Sequence, residues 1–249
     1  MTGVALVTGA SAGLGVEFAR QLSAKGQRLV LVARRKERLD ELAANLGNAR
    51  AVELDLSTTG AAETLMADLA NHGETAELLV NNAGFGLAGR FAELDGARQR
   101  EMIDLNCGAL AELAHAVLSG MIARKAGGIL NVASTAAFQP GPGMAVYFAT
   151  KAMVLSFSEA LHDEMRPQGI KVSCLCPGPT RTEFRQVSGF NPKGPVSNQS
   201  ADAASVVRAG LEGLHKNKAV VVPGLSNKAI SQLHRLFPRA VMRRAARMR

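Results

Sequence analysis

Hydrophobic residues along this chain alternate between two patterns. Short runs rich in apolar residues stand at 4–8, 28–33, 50–54, 78–81, 128–133 and 170–176, with a shorter one at 219–222. Runs of that length read as strands buried on both faces. Between them, apolar residues recur at helical spacing, first up to about residue 25 and then over 35–46, 58–71, 95–124, 147–165 and 201–214. Ser57 or Thr58 is placed to cap the third of these helices, and Pro167 follows the one that starts at Tyr147. Strands alternating with helices predict right-handed crossovers and a parallel, doubly wound α/β sheet of about seven strands, with helices on both faces. No linker interrupts the pattern, so 1–225 is expected to be a single domain. Residues 181–200 have no clear period and contain Gly189, Pro192, Gly194 and Pro195. The part over 183–200 is expected to cover a bound substrate as a lid. Residues 226–249 read as a basic amphipathic extension, divided by Pro238 into two helices.

Doubly wound sheets bind ligands beyond the carboxyl ends of their strands. The distinctive residues sit at those ends: Gly9, Asp55, Asn82, Ser134 and Pro177. After the first strand come Gly9, Ala10, Ser11, Ala12, Gly13, Leu14 and Gly15, a glycine-rich loop leading into a helix. Glycines let the backbone approach a pyrophosphate, and the helix start supplies free N–H groups and a positive dipole end. The second strand ends in Ala33, Arg34 and Arg35, with no acid to accept the 2′-hydroxyl of an NAD ribose. Arg34 can clamp a 2′-phosphate, which predicts NADP(H); the alternative is that Arg34 and Arg35 are solvated helix-start residues, Arg35 being the more obvious bystander. Asp55 could accept from an adenine amino group, with Leu56 beside it.

Tyr147, the only tyrosine, and Lys151 are four positions apart and share one helical face. A phenol ordinarily titrates near ~10, and a neighbouring ammonium is expected to lower that value toward a useful proton donor. Ser134 stands thirteen residues upstream at a strand end, where its hydroxyl could hold a substrate oxygen.

Together these residues resemble the short-chain dehydrogenases/reductases, over almost the whole chain to roughly residue 225. The resemblance rests on Thr8 to Gly15, Asp55-Leu56, Asn81-Asn82-Ala83-Gly84, Asn106, Ser134, Tyr147 with Lys151, and Pro177-Gly178. It implies a Rossmann-like fold in which Tyr147 donates or accepts the proton at a carbonyl or alcohol. Lys151 would tune it and bind the nicotinamide ribose, Ser134 would orient the substrate oxygen, and Asn106 would hold a water linking Lys151 to solvent. Thr180 and Thr182 match positions that contact the nicotinamide carboxamide. Asn82, with Ala83 and Gly84, would lie near the adenine ribose, and Asn81 would tie strands together. The sequence departs from the family at Ala12, where NADP(H)-using relatives often carry a basic residue.

Composition narrows the field. Aromatics are only 4% of the chain, which argues against stacking platforms for nucleic acid. No apolar run reaches the length expected of a bilayer span, and a strand-like run starts at Gly3 where a leader would stand. Three cysteines, an odd number, suggest a reducing cytoplasm; Cys107, Cys174 and Cys176 read as packing residues. His72, His115, His162, His215 and His234 show no ligand spacing, and no metal is expected. The net charge of +8 is concentrated in residues 228–249, which hold seven basic residues and no acids. There Ile230, Leu233, Phe237, Val241, Ala245 and Met248 fall near one helical face, which could dock on a subunit or the body, lie on an anionic membrane as a peripheral contact, or remain solvated. Docking is favoured over the membrane. Ala149, Ala152, Ser156 and Ala160 form a small-residue stripe after Tyr147; the resemblance places a dimer interface there, so a homodimer or homotetramer is expected, against the alternative of packing on the sheet.

Phe85, Phe138, Met144, Phe148, Phe184, Val187 and Phe190 suggest an apolar substrate wall, or else ordinary core. The leading function is an NADP(H)-dependent carbonyl reductase or alcohol dehydrogenase acting on a small-molecule carbonyl or secondary alcohol. The alternatives are an epimerase or dehydratase on the same fold and a non-catalytic dinucleotide-binding scaffold or sensor. The roughly 70 residues after Thr180 leave little room for a sugar-binding region, and the Ser134, Tyr147, Lys151 and Asn106 set is more than a pure binder needs.

Overall fold

The computed structural model describes residues 1–189 and 200–247, with part of the side chains in the last two helices. Phe190, Pro192, Gly194, Pro195 and Met248 lie outside the described residues, as do the side chains of Leu233 and Ala245. Seven strands form one parallel sheet in the order β3-β2-β1-β4-β5-β6-β7. They are β1 (Thr2–Thr8), β2 (Leu29–Ala33), β3 (Ala49–Glu53), β4 (Glu74–Asn81), β5 (Gly127–Val132), β6 (Ile170–Leu175) and β7 (Val220–Val221). The order reverses between β1 and β4, which opens a crevice beyond their carboxyl ends.

Helices α1 (Gly13–Ser23), α2 (Lys36–Leu46) and α8 (Ala203–His215) cover one face of the sheet. Phe18, Leu39, Val207 and Leu211 meet Val7, Leu31 and Leu130 there. Helices α3 (Ala61–Asn71), α5 (Leu110–Arg124) and α6 (Ala145–Met165) cover the other. Leu65, Leu113, Met121 and Leu161 meet Leu6, Leu79, Ile129 and Val172. The continuous apolar runs follow from this: β2 is buried throughout because helices stand on both sides.

Several local expectations shift. Helix α3 starts at Ala61 after Gly60 at φ 80°, three residues later than Thr58. Ser57 and Thr58 bond Asp55 instead of capping the helix: the Asp55 carboxylate accepts from Ser57 N and Oγ, and Thr58 donates to the Asp55 carbonyl. The run over 95–124 is α4 (Gly96–Ile103), a π-helical segment Asp104–Ala109, and α5. Contrary to the expectation from the sequence, this continuous 29-residue helix is long and apolar enough to cross a bilayer. Here the sheet covers its inner face, through Leu113, Ala114, Val117 and Met121. The aperiodic segment contains a short helix, α7 (Phe184–Ser188).

The tail forms α9 (Leu225–Leu236) and α10 (Arg239–Arg247), divided at Pro238 as expected. Helix α9 packs on this chain's own body, beside the 3-10 turn Thr135–Phe138. The stripe Ala149, Ala152, Ser156 and Ala160 is exposed on α6, so packing against the sheet does not explain it. Asn81 ties β4 to its neighbours, donating to Asn131 Oδ1 and to the Leu110 carbonyl.

Candidate active site

A cleft of about 1390 Å³ runs along the carboxyl ends of the strands. All the glycine-loop residues except Ala10 and Gly15 line it, together with Arg34, Asp55, Leu56, Asn82, Ala83, Gly84, Ser134, Tyr147, Lys151, Pro177, Gly178, Thr180 and Thr182. Asn106 lies behind this wall, fully buried. Gly15 lies beneath the loop, where a Cβ would stand 2.1 Å from the Gly9 carbonyl oxygen. That proximity admits only glycine and lets α1 approach the strand end. Gly13 has φ +55° and faces the Thr182 side chain, so the loop and the segment after β6 meet across the cleft. Ala12 before α1 is extended and gives the helix no side-chain cap. The start of α1 therefore presents backbone N–H groups with no acid in the first turn, a surface suited to a pyrophosphate. Asn82 has a structural part: its N and that of Ala83 donate to Thr8 Oγ1, and its Nδ2 donates to the Thr8 carbonyl, at 3.0, 3.0 and 2.9 Å.

Both arginines at the β2 end face this cleft. Arg34 bonds Glu101 at 2.9 Å and stands 3.6 Å from Asp55. Arg35 is no bystander: it donates to Ser11 Oγ at 3.1 Å and the Ser11 carbonyl at 3.2 Å, directly on the glycine loop. It also joins Arg38 in pairing with Glu183, at 3.1 and 2.7 Å. Hydrogen bonds from Arg38 and Arg35 hold that carboxyl below the usual range.

At the other end, α6 carries Tyr147 and Lys151, both buried. Lys151 Nζ donates to the Val132 carbonyl at 2.9 Å, the last residue of β5. The π-helical segment turns Asn106 inward, where it exchanges hydrogen bonds with the Phe85 backbone and donates to Thr150 Oγ1 at 3.1 Å. Thr150 in turn donates to the Tyr147 carbonyl at 2.7 Å. Sequence reasoning missed Thr150; its only signal was a hydroxyl beside Lys151. Ser134 Oγ accepts from Ala136 N at 3.1 Å and donates to the Pro177 carbonyl at 3.5 Å. Phe85, Met144, Phe148 and Phe184 gather around Tyr147, while Phe138 packs elsewhere with Val154 and Cys174.

The expectation that Lys151 lowers the Tyr147 phenol is not met. Burial pushes Tyr147 up to about 12, opposed by a hydrogen bond with Ser134. The reason is geometric: the ammonium is 5.9 Å from the ring centroid and is turned to Val132. Burial also depresses Lys151, to about 8. Among the described residues no group of His, Cys, Asp and Glu could hold a metal.

A family model described as short chain dehydrogenase matches residues 3–191. The chain belongs to the short-chain dehydrogenases. An uncharacterized oxidoreductase of Staphylococcus epidermidis is 31% identical over 86% of this chain and 93% of its own length. An NADP-dependent 3-hydroxy acid dehydrogenase of Shigella flexneri is 38% identical over 74% of this chain and 75% of its own. Among solved structures, a short-chain dehydrogenase from Sphingobium yanoikuyae in complex with NADPH is 33% identical, with a TM-score of 0.82 over 96% of this chain and 98% of that one.

Lys151 sets a pH dependence for this short-chain dehydrogenase. An ordinary lysine holds its proton to 10.5, whereas folded Lys151 releases it near 8. Between those values the unfolded chain binds more protons, so this residue makes stability rise with pH from about 8 to 10.5. The raised Tyr147 acts in the opposite sense only above 10. Lys151→Met should remove the rise, read as the difference in denaturation midpoint between the two ends of that window. A variant whose midpoint climbs as steeply as the wild type would show that the ammonium is not desolvated.

Proposed function

We propose that this short-chain dehydrogenase is an NADP(H)-dependent carbonyl reductase or alcohol dehydrogenase acting on an apolar substrate. The reading is carried by the convergence of Ser134, Tyr147 and Lys151 on one cleft whose far end holds a glycine loop flanked by two arginines. The residues fit a dinucleotide: the loop admits only glycine at position 15, and the adjacent helix start has no competing acid. Gly9, Ser11, Ala12, Gly13 and Leu14 would hold the pyrophosphate, with Arg34 and Arg35 on the 2′-phosphate. Asp55, Leu56, Asn82, Ala83 and Gly84 would take the adenosine end. Pro177, Gly178, Thr180 and Thr182 would take the nicotinamide end, with Lys151 on its ribose. The NADPH-bound and NADP-dependent relatives support this choice of cofactor. When bound, NADPH is the source of the hydride.

The chain's own residues handle the oxygen. Ser134 orients it, and Tyr147 gives it a proton in reduction; in oxidation it takes one only in its phenolate form. A phenol held at about 12 keeps its proton throughout the neutral range, the state a donor needs. Lys151, depressed to about 8, can exchange a proton close to neutrality. Asn106 supports that exchange by fixing α6 through Thr150, and in this reading it would hold a water beside Lys151. Phe85, Met144, Phe148 and Phe184 favour an apolar substituent on the reacting carbon. The exposed stripe on α6, beside the exposed Phe91 and Ile103, is the face on which a second copy would pack as a homodimer, repeated in a homotetramer.

Purified protein mixed with NADPH and a panel of ketones should show net loss of cofactor absorbance, and Tyr147→Phe should abolish it while NADPH still binds. Turnover without net cofactor change would indicate an epimerase or dehydratase, and saturable binding without turnover a sensor. Removing Arg34 and Arg35 together by alanine should weaken NADPH binding by roughly 1–3 kcal/mol, the scale of charged hydrogen bonds, and spare NADH. Equal losses for both cofactors would contradict the assignment. Ala152→Arg should reduce the mass measured by light scattering to that of one chain; an unchanged mass in a folded variant removes this face as the interface.

A further inference from the structure

Arg98 and Glu101 stand three positions apart on α4 and share one of its faces. The helix itself is firmly seated. Asp95 caps it by accepting from Ala97 N at 3.0 Å, and Gln99 donates to the Phe91 and Leu94 carbonyls. Met102 is 1% exposed and packs in the apolar cluster with Phe85, Met144 and Tyr147. Neither Arg98 nor Glu101 lines the cleft, but each touches a residue that does.

Glu101 divides its carboxylate between two guanidinium groups. Its Oε1 accepts from Arg34 Nη1 at 2.9 Å, and its Oε2 accepts from Arg98 Nη1. The Arg98 guanidinium in turn lies over the Phe85 ring, 4.7 Å from the centroid, within cation–π range. Phe85 is buried, and its backbone is fixed by both amide atoms of Asn106. The next residue abuts the proton donor: a Cβ at Gly86 would stand 2.8 Å from the Phe184 ring and 3.2 Å from the Tyr147 ring. A continuous line of contacts thus runs from Arg34 through Glu101 and Arg98 to the wall beside Tyr147.

The charges along this line balance. Arg34 and Arg98 are positive; Glu101 and Asp55, the latter 3.6 Å from Arg34, are negative. A phosphate dianion placed on Arg34 upsets that balance. It takes the guanidinium's donors and repels the Glu101 carboxylate. The carboxylate's other partner is Arg98, so that pair tightens and the Arg98 guanidinium shifts on the Phe85 ring.

We infer that Glu101 and Arg98 are positioning residues that transmit the presence of a 2′-phosphate from Arg34 to Phe85. The inference rests on the NADP(H) reading and adds a coupling to it. A dinucleotide with a 2′-phosphate sets the wall beside Tyr147 differently from one without.

The chain has no tryptophan, so Phe85→Trp supplies a single fluorophore beneath Arg98. The probes are adenosine 2′,5′-bisphosphate, which carries the 2′-phosphate and no nicotinamide, and 5′-AMP, which lacks that phosphate. Calorimetry on the full chain measures the binding of each. At saturation the bisphosphate should change the tryptophan emission by about 20% or more, as expected when a cation moves on an indole face, and 5′-AMP should not. The change should vanish in Arg98→Ala and shrink at least about threefold in Glu101→Gln, with the bisphosphate bound within about threefold of the parent or tighter. Where Phe85→Trp melts below the wild-type temperature, 4-fluorophenylalanine introduced at Phe85 and read by fluorine NMR takes its place. Binding without a spectral change, an equal change with 5′-AMP, or a change that persists undiminished in either variant overturns the inference and leaves the cofactor reading intact. No binding of the bisphosphate to the wild-type chain overturns the cofactor reading and the inference with it.

Discussion

A buried ammonium is the constraint to which the catalytic end of the sheet is fitted. Lys151 is 6% exposed and has lost most of its hydration, a cost that shows as its depressed pKa. The Val132 carbonyl, at the free end of β5, meets part of that cost with a hydrogen bond. For the amine to reach that carbonyl, α6 must lie in one register on β5 and β6. Thr150 and Asn106 hold that register from the opposite side, and the π-helical segment exists where Asn106 has to turn inward. A regular helix over the same residues would shift the residues around Asn106 and separate its amide from Phe85 and Thr150.

A spacing of four along the helix proved necessary for the Tyr147–Lys151 pair but insufficient to predict its electrostatics. Two side chains on one face need not point at one another, and here the amine leans toward the sheet while the phenol leans toward the aromatic cluster. Desolvation then outweighs the contact each group makes, with Ser134 and with Val132, and pushes the phenol up and the amine down. The pair is better described as a donor that keeps its proton beside an amine that can release one near neutrality than as a pre-formed phenolate.

Much of this was legible in the sequence because doubly wound sheets have a strong signature. Strands β1, β2 and β5 are buried on both faces, so their apolar runs are continuous, and the residues at their ends stand out against them. Element ends were less legible. Ser57 and Thr58 carry good capping chemistry, but Asp55 takes both hydroxyls first, and Gly60 starts the helix. The long apolar helical run hid its interruption, since a π-helical segment changes no residue type. Arg35 looked dispensable because its contact with Ser11 crosses 24 residues of sequence. Glu101 and Arg98 left no motif at all; their place follows from where α4 lies between the β2 end and Phe85.

The arginines show why exposed ion pairs can coexist with a ligand site. Arg34 and Arg35 are engaged by Glu101 and Glu183, and the side chains of both arginines are about half exposed. Pairs in such settings contribute only about 0–1 kcal/mol. In the proposed function, a dianionic phosphate offering bidentate acceptance to two guanidinium groups would outweigh that. The carboxylates therefore hold the side chains in place over the cleft without closing it. Glu183 adds a mechanical link, because it immediately precedes Phe184, whose ring stands 5.2 Å from that of Tyr147. In the proposed function, the arginines that would face the cofactor's charged end would thereby also brace the wall beside the proton donor.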